Sequence, residues 1–363
     1  MATTKKKSII RDADINFLSK YINNPAPTGH EAEGQKIWLN YMKPYIDDYL
    51  VDNYGSVAAI INPKAAYKVV IEAHADEIGW AVQYITEDGF IYVGRIGGSD
   101  HIIAPSKRVN IHTASGIVKA VFGWPAIHTR IGNKEEAPDG KNIFLDAGCT
   151  SKKEIEKMGV RIGDPVTFDD DFFVMNNYFV GRAIDNRISG FMIAQVARLL
   201  QEQKVKLPFA LYIVNSVQEE VGLRGAEMMA HTIKPDVAII TDVTHDSNTP
   251  MISKVMQGDI KVGRGPVLTK GASVHNKLLQ LLCETADAQK IPYQRDFASR
   301  STGTDTDAFA YANGGIPSSL IALPLRYMHT TVECVHRTDV EHVIQLMFHT
   351  LKKLKPGFNF KYL

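Results

Sequence analysis

Two adjacent glutamates, Glu219 and Glu220, stand in the segment FALYIVNSVQEEVGLRGA, after a short apolar run. The run at residues 209–214 predicts a buried strand, because it is rich in β-branched and aromatic residues and follows Pro208. Buried carboxylates are costly unless a charge compensates them, and neighbours on an extended chain point in different directions. One glutamate could therefore bind a cation while the other moves a proton. Taken alone, such a pair is more often a solvated loop.

Further residues of the metal-binding type stand at the ends of predicted strands or just before a predicted helix. They are His74 and Asp76 after the strand at 68–73, Asp242 after the strand at 237–241, His329 beyond the strand at 318–323, and Asp185 before the helix at 186–203. Taken singly, a strand-end histidine is more often structural, and an Asp before a helix is more often an N-cap. In open α/β sheets, however, ligands gather at the carboxyl ends of the strands. We therefore expect these side chains and the glutamate pair to meet in one crevice.

The donor types in this set indicate which ion it could hold. Two histidines and three carboxylates without a thiolate suit Zn, Co or Mn rather than an iron–sulfur cluster or a zinc finger. Five ligands are too many for one tetrahedral zinc with an open position, but they suit two metals about 3.5–4 Å apart that share a carboxylate and a water. Asp76 could accept the other ring N–H of His74. The remaining glutamate is then free to take a proton from water and pass it to a leaving amine.

The elements that must position these residues alternate between helix and strand in two separate parts of the chain. After residue 183, helices are predicted at 186–203, 226–231, 274–289 and 340–354, the last capped by Thr338, with strands between them. Near the start, helices at 12–47 break at residues 24–27, and Thr28 or Gly29 is predicted to cap the second one. Alternation of this kind predicts an α/β domain whose sheet is sandwiched by helices.

Residues 80–176 have a different pattern, because short alternating runs are separated there by Gly, Asp, Pro and Ser clusters. This spacing is typical of a small all-β barrel or sandwich. We therefore predict a catalytic α/β domain at residues 1–79 and 177–363, with an all-β domain inserted at 80–176. Within the insert, residues 94–98 (GRIGG) are interpreted as a loop or bulge rather than a phosphate cradle.

Five segments resemble the motifs of one family, the tetrahedral aminopeptidases. They are HADEIGW, GRAIDNR, QEEVGLRGA, a strand ending in TDV, and PLRYMHT. The family comprises glutamyl, leucyl and deblocking aminopeptidases, some formerly labelled endoglucanases, and the resemblance runs from residues 26–29 to the last helix.

The resemblance implies two divalent metal ions per chain, with Zn favoured over Co or Mn, and a role for each matching residue. Asp185 would bridge the metals and precede a cis peptide bond, His74 and Asp242 would complete one metal, Glu220 and His329 the other, Glu219 would be the general base, and Asp76 would orient His74. It further implies that the fold is zinc-exopeptidase-like, that the insert is a β-barrel dimerisation domain, and that dimers assemble into a tetrahedral dodecamer.

Composition narrows the setting in which such an enzyme would act. The formal net charge is +1 over 363 residues, which indicates neither a nucleic-acid nor a membrane partner. No run approaches 18 apolar residues, so no membrane-spanning helix is predicted. Three widely spaced cysteines (Cys149, Cys283 and Cys334) predict reduced thiols and a cytoplasmic protein, and Cys334 is interpreted as a buried side chain rather than a ligand.

These observations predict a cytoplasmic dinuclear metalloaminopeptidase that acts on peptides as a homo-oligomer. A dinuclear deacylase or carboxypeptidase, or a non-catalytic scaffold, are the alternatives. Three segments near the predicted site depart from the common family pattern and could line the pocket for the first substrate side chain: Thr330-Thr331, residues 243–246, and residues 303–307. The preferred N-terminal residue and the roles of His245, Asp246 and Asp307 therefore stay open.

Overall fold

The computed structural model describes residues 8–130 and 137–363. Its strands are β1 (Asp48–Val51), β2 (Val57–Ile61), β3 (Lys68–His74), β4 (Gly79–Ile85), β5 (Phe90–Ile96), β6 (Arg108–Thr113), β7 (Gly116–Gly123), β8 (Phe144–Asp146), β9 (Pro165–Phe168), β10 (Phe173–Met175), β11 (Tyr178–Gly181), β12 (Ala210–Ser216), β13 (Val237–His245), β14 (Val267–Gly271), β15 (Gln294–Ala298), β16 (Ser318–Leu325) and β17 (Glu333–His336). Its α-helices are α1 (Asp12–Asn23), α2 (Ala32–Met42), α3 (Lys152–Lys157), α4 (Ile184–Glu202), α5 (Arg224–Ile233), α6 (Lys254–Gln257), α7 (Asn276–Gln289), α8 (Asp305–Tyr311) and α9 (Arg337–Lys353).

An eight-stranded mixed sheet forms the centre of the α/β part, in the order β1-β2-β12-β3-β13-β16-β14-β15. Strands β12, β3, β13 and β16 run parallel, and their residues are buried almost throughout because helices pack on the sheet. In the register of β3 and β12, Ser216 stands opposite His74. The carboxyl ends of these four strands therefore meet at one edge of the sheet, as the sequence predicts.

Two groups of helices cover this sheet. Helix α4 packs against β3 and β13 and against α1, α2 and α9, and almost its whole length is buried. Helices α5 and α8 pack against each other and against strands of the sheet. A sheet covered in this way, together with the barrel below, confirms the predicted fold class.

The inserted β region is a closed barrel of strands in the order β4-β5-β8-β7-β6-β9. Trp80 fills its interior, fully buried, with edge contacts to Phe122 at 5.5 Å and Phe168 at 6.5 Å between ring centroids. The barrel strands begin at Gly79 and end at Phe168. The domain boundaries at 79/80 and 176/177 stay a prediction, and residues 1–7 and 131–136 of those ranges lie outside the described residues.

A small antiparallel sheet, β10-β11-β17, was not predicted from the sequence. It pairs Gly181, four residues before Asp185, with Glu333, four residues after His329. Strands β10 and β11 are neighbours in the chain, but β11 and β17 lie more than 150 positions apart, and strands of three or four residues leave little local pattern to read. This sheet brings two distant segments of the candidate site together.

Two predicted helix caps are wrong. Helix α2 begins at Ala32 with Glu31 at its N-cap, because the Thr28 hydroxyl donates to Asp76 Oδ2 at 2.7 Å instead. Helix α9 begins at Arg337, and the His336 ring accepts from the Thr338 backbone, so Thr338 is inside the helix.

The predicted free thiols agree with the structure, in which Cys149 is half-buried and Cys283 and Cys334 are buried. Among the described residues, no helix is both long and apolar enough to cross a membrane.

Candidate metal centre

The structure brings all seven predicted site residues together at the carboxyl edge of the central strands. His74 ends β3, Asp242 lies near the end of β13, Asp185 is the second residue of α4, Glu219 and Glu220 follow β12, and His329 follows β16, while Asp76 lies two residues beyond β3. Six of them line a cavity of about 260 Å³, and the seventh, Asp76, lies beneath the glutamate pair.

Asp185 lies between the two histidines and faces both. Its Oδ1 is 3.3 Å from His74 Nε2, and its Oδ2 is 3.4 Å from His329 Nε2. Two atoms that bind one tetrahedral zinc at about 2.0–2.1 Å lie about 3.3 Å apart. The spacing therefore fits one metal on each side of a shared carboxylate.

The other carboxylates of the site lie near one or the other of the two histidines. Asp242 Oδ1 lies 3.9 Å and Glu219 Oε2 3.8 Å from His74 Nε2, whereas Glu220 Oε1 lies 3.6 Å from His329 Nε2. Donor atoms within 4.8 Å of one another form two groups, His74–Asp185–Glu220 and His74–Glu219–Asp242. Both glutamates are thus within reach of a metal, so distances alone do not separate a ligand from a base.

Asp76 makes contacts with both halves of the site. Its Oδ1 is 3.3 Å from His74 Nδ1, a ring nitrogen that has no well-aligned hydrogen bond. The same carboxylate accepts the backbone N–H groups of Glu219 at 3.0 Å and Glu220 at 3.2 Å. Asp76 therefore lies beside the ring that it is predicted to orient, and it also accepts hydrogen bonds from the backbone of the glutamate pair.

Glu333, which the sequence analysis missed, makes the equivalent contacts on the opposite side. Its Oε1 accepts the His329 backbone N–H at 2.7 Å and its Oε2 accepts that of Asp185 at 3.0 Å. Glu333 is buried, and burial raises its pKa well above the usual range. Glu333 is the first residue of the short strand β17, and no pattern of residue types around it indicates this role.

Several non-glycine residues in the segments around the site have left-handed backbone. Ala183, Gln218, Leu223, Tyr327 and His329 have φ between 56° and 62°, although none is glycine. Such conformations cost on the order of 1–3 kcal/mol each and persist where surrounding contacts over-determine them. The Asp185–Asn186 peptide bond is cis, as the resemblance implies.

Burial and the repulsion between neighbouring carboxylates change the pKa values of the carboxyl groups in the site. Burial raises the pKa of Glu219 to about 9 and that of Asp242 to about 8, and it also raises that of Glu220. For Asp185, burial acts in the same direction, but the His329 and His74 rings outweigh it and lower the pKa.

The histidine pKa values move the opposite way to what burial alone would cause. For His74 the carboxylates, Glu219 foremost, outweigh burial and raise the pKa well above its usual value, and for His329 Asp185 does so. Protons thus supply the positive charge that this acidic cluster needs. Because metal ligands must be deprotonated, divalent cations would replace those protons, and the donor set therefore fits such ions.

The residues with open roles occupy three different environments. His245 lines the cavity, beside Thr244 and Thr302. Asp246 is buried and paired with Arg326 at 2.7 Å, and Asp307 accepts the backbone N–H groups of Thr302 and Gly303. Only His245 among the three is therefore positioned to contact a substrate.

Asp305, in the segment expected to line the pocket, is instead buried behind the site. Ser216 Oγ lies 2.8 Å from Asp305 Oδ2 and 2.6 Å from Glu72 Oε1. Burial raises the pKa of both carboxyls. The buried acidic pair of Glu72 and Asp305 lies next to His74, because Glu72 is two residues before His74 on the same strand, β3.

Comparison with known proteins identifies the family. The family model for M42 glutamyl aminopeptidase matches residues 55–346, more than half of the chain. The lysyl aminopeptidase of Pyrococcus furiosus is 33% identical over 347 residues, covering 94% of this chain and 98% of the relative.

Two solved structures have the same architecture. A TET aminopeptidase from a marine sediment Thaumarchaeota archaeon superposes with a TM-score of 0.91 at 30% identity, covering 95% of this chain and 98% of that one. The TET1 peptidase of Pyrococcus horikoshii, which assembles into a tetrahedron or a large octahedral shell, gives 0.82 at 25% identity, covering 93% and 98%. The five sequence motifs, the fold and these matches agree, and the chain belongs to the M42 glutamyl aminopeptidase family of peptide hydrolases.

Proposed function

We propose that this protein is a dinuclear metalloaminopeptidase that removes N-terminal residues from peptides. The observation that carries the proposal is the position of Asp185, whose two carboxylate oxygens face the Nε2 atoms of two different histidines at 3.3 and 3.4 Å. A carboxylate shared in this way is the geometry expected of a bridge between two metals.

The proposed ligands are those that the resemblance implies: Asp185 shared between both metals, His74 and Asp242 on one side, and Glu220 and His329 on the other. Zn is favoured, with Co or Mn as alternatives. When bound, the metals would activate a water and polarise the scissile carbonyl.

Glu219 is the proposed general base. Its carboxylate would take a proton from the attacking water and pass it to the leaving amine. Asp76 holds the Glu219 backbone N–H at 3.0 Å, which fixes the loop that carries the base. The assignment of Glu219 rather than Glu220 rests on the family resemblance.

The residues that line the cavity argue against a substrate bound through a free carboxylate. Four carboxylates line it, from Asp185, Glu219, Glu220 and Asp242, while none of the described residues that line it is Lys or Arg. A carboxypeptidase would need a cationic partner for the terminal carboxylate of its substrate. A cavity of about 260 Å³ is also small for ligand sites, which supports the removal of single terminal residues.

The decisive experiment pairs Glu219→Gln with Asp185→Ala. Glu219→Gln should keep two metals per chain by elemental analysis and lose about 10²–10⁴-fold in kcat, because only the proton carrier is removed. Asp185→Ala should lose metal as well as turnover. Glu227→Gln, an exposed change on the adjacent helix α5, is the matched control and should behave as wild type.

Near-normal turnover in Glu219→Gln would exclude Glu219 as the general base. Retention of two metals in Asp185→Ala would exclude Asp185 as the ligand shared by both metals. A panel of aminoacyl anilides, N-acylated amides and C-terminal substrates separates an aminopeptidase from a deacylase or a carboxypeptidase. A wild-type chain that binds no metal and cleaves none of them would be a scaffold.

We further propose that the protein forms dimers through the barrel and that the dimers assemble into a tetrahedral dodecamer. The assembly of the Pyrococcus horikoshii relative supports the dodecamer. Large apolar side chains are exposed on the barrel region, which supports an interface there: Tyr84, Phe90, Ile102, Ile117, Val121, Ile127 and Ile162. Light scattering on the purified protein tests the assembly, and a monomer would contradict it. The three free cysteines support a cytoplasmic location.

A further inference from the structure

Two glycines of the barrel touch one side of the candidate metal centre. A Cβ atom placed on Gly98 would lie 2.6 Å from His329 Nδ1 and 2.7 Å from its Cε1. One placed on Gly97 would lie 3.2 Å from the Cβ of Glu220. Contacts below 3.0 Å are closer than side chains tolerate, so the barrel backbone lies directly against the two residues proposed for one metal.

The backbone of Gly98 lies against the Nδ1 edge of the His329 ring. His329 Nε2 faces Asp185 and Glu220, so the Nδ1 side is the side turned towards Gly98. A ligating histidine is oriented by the partner of its other ring nitrogen, and a backbone carbonyl is a common partner. For His74 that partner is Asp76, within the same segment. For His329 the group that lies against this side of the ring is the backbone of Gly98, next to the barrel.

This loop is firmly attached to the barrel, so it can act as a rigid support. Ser99 Oγ, which is buried, donates to the Gly79 carbonyl at 2.6 Å. Asp100 accepts the Ile102 backbone N–H at 2.8 Å, and the next ring, His101, packs 5.4 Å from the buried Trp80. The loop therefore follows the barrel core rather than the catalytic sheet.

A second contact joins the barrel to the segment after His329. Lys107 Nζ, which stands just before β6, donates to Thr331 Oγ1 at 2.7 Å. Thr331 is buried although the segment around it is partly exposed. The barrel thus holds the His329 loop at two points, Gly98 and Lys107.

We propose that Gly98 is a positioning residue for the metal on the His329 side, so that the inserted barrel forms part of the metal centre rather than serving only in assembly. This inference rests on the dinuclear centre proposed above. It gives a role to residues 94–98, which the sequence predicts to be a loop or bulge. Retention of one of the two metals would then depend on the position of the barrel relative to His329.

Gly98→Ala in the full-length, metal-loaded protein tests this role. The added methyl group must move either the ring or the loop, and both movements break the contact between them. Metal retained per chain is measured by elemental analysis along a chelator titration. One metal should be lost at a chelator concentration about 10–100-fold lower than in wild type, the usual cost of removing such a partner, while the other is retained as before.

Gly94→Ala is the matched control, because its Cβ would meet only the exposed end of Gln83 on the same barrel. It should titrate as wild type. A double variant adds specificity: once His329→Ala has removed the ligand, Gly98→Ala should change the titration no further.

Identical titrations for Gly98→Ala and Gly94→Ala would overturn the proposal. If Gly98→Ala does not fold, Lys107→Met provides the test. This substitution removes the hydrogen bond to Thr331 and should lower the affinity for the same metal by a smaller factor. An unchanged titration there would equally overturn it. A wild-type protein that never holds two metals would instead refute the dinuclear centre.

Discussion

The two halves of the candidate centre are built in different ways. His74 ends β3, in the middle of the sheet, and only 2% of its side chain is exposed. His329 lies on a loop with φ of 61°, and 31% of its side chain is exposed. His74 has its carboxylate partner two residues away, whereas His329 depends on Glu333 and the barrel.

One half of the centre is thus held by the sheet, and the other by contacts with other parts of the chain. Strand β3 pairs with β12 as far as His74 and with β13 as far as Glu72, so the end of this strand needs little further support. A loop ligand has no such support and needs tertiary contacts to keep its geometry. We therefore expect the metal on the His329 side to be the weaker of the two.

Removing each histidine in turn should give the largest effects and test the asymmetry directly. His74 Nε2 lies within 4 Å of carboxylate oxygens of Asp185, Glu219 and Asp242. Among the described residues, His329 Nε2 lies that close only to the carboxylates of Asp185 and Glu220. We expect His74→Ala to lose both metals and His329→Ala to keep one, as measured by elemental analysis after gel filtration. Equal losses in both variants would refute the asymmetry.

Substitutions of the two backbone-binding carboxylates should have intermediate effects, about 10–100-fold in metal affinity. An amide cannot accept all the N–H groups that Asp76 or Glu333 accepts, because one of its two positions is a donor. Asp76→Asn should also lower kcat, since it releases the loop of the proposed base. Glu333→Gln should act mainly through loss of the metal at His329.

Asp339→Asn provides a matched control for this pair. Asp339 is also buried and accepts two backbone N–H groups, those of Gly263 and Gly265, but it belongs to the start of α9. It should lower thermal stability without changing the chelator titration. If Asp339→Asn changed the chelator titration as much as Glu333→Gln does, the loss of metal would reflect lower overall stability rather than a specific contact.

The smallest expected effect is a pH dependence of stability in the metal-free protein. The pKa values of Glu219 and Asp242 are raised to about 9 and 8, above the values near 4 of an unfolded chain. A raised pKa contributes stability in full at low pH, and this is lost as pH rises through the folded value. The melting temperature should therefore fall by a few degrees between about pH 5 and 9.

Zinc should abolish that fall, because a bound cation stabilises the ionised carboxylates. Thermal melts of chelator-treated protein with and without zinc make the measurement. A melting temperature that rises over this range in the metal-free protein would contradict the assigned shifts.

The grouping of the candidate ligands and the position of Asp76 beside His74 could be predicted from the sequence, but the contacts of Glu333 and Gly98 could not. His74, Asp185, Glu219, Glu220, Asp242 and His329 follow strands or precede a helix, so the rule for strand ends was enough to group them. Glu333 acts by accepting backbone N–H groups, and Gly98 by having no side chain. Neither function leaves a pattern of residue types.

The predicted N-cap of helix α2 is wrong because the Thr28 side chain makes a hydrogen bond within the candidate site instead. Thr28 has the right type for an N-cap, but its hydroxyl binds Asp76, 48 residues away. Glu31, which takes the N-cap position, accepts the backbone N–H groups of Gly29 and Gln218. Tertiary hydrogen bonds thus replaced the local preference on which the prediction depended.

The wide spread of the ligands along the chain has a consequence for biosynthesis. The ribosome would deliver the ligand on β3 early, those near α4, β12 and β13 later, and the one beyond β16 last. A nascent or truncated chain that stops before that point has at most one side of the centre. With the proposed dinuclear mechanism, hydrolysis of peptides would start only after translation has passed the last of these residues.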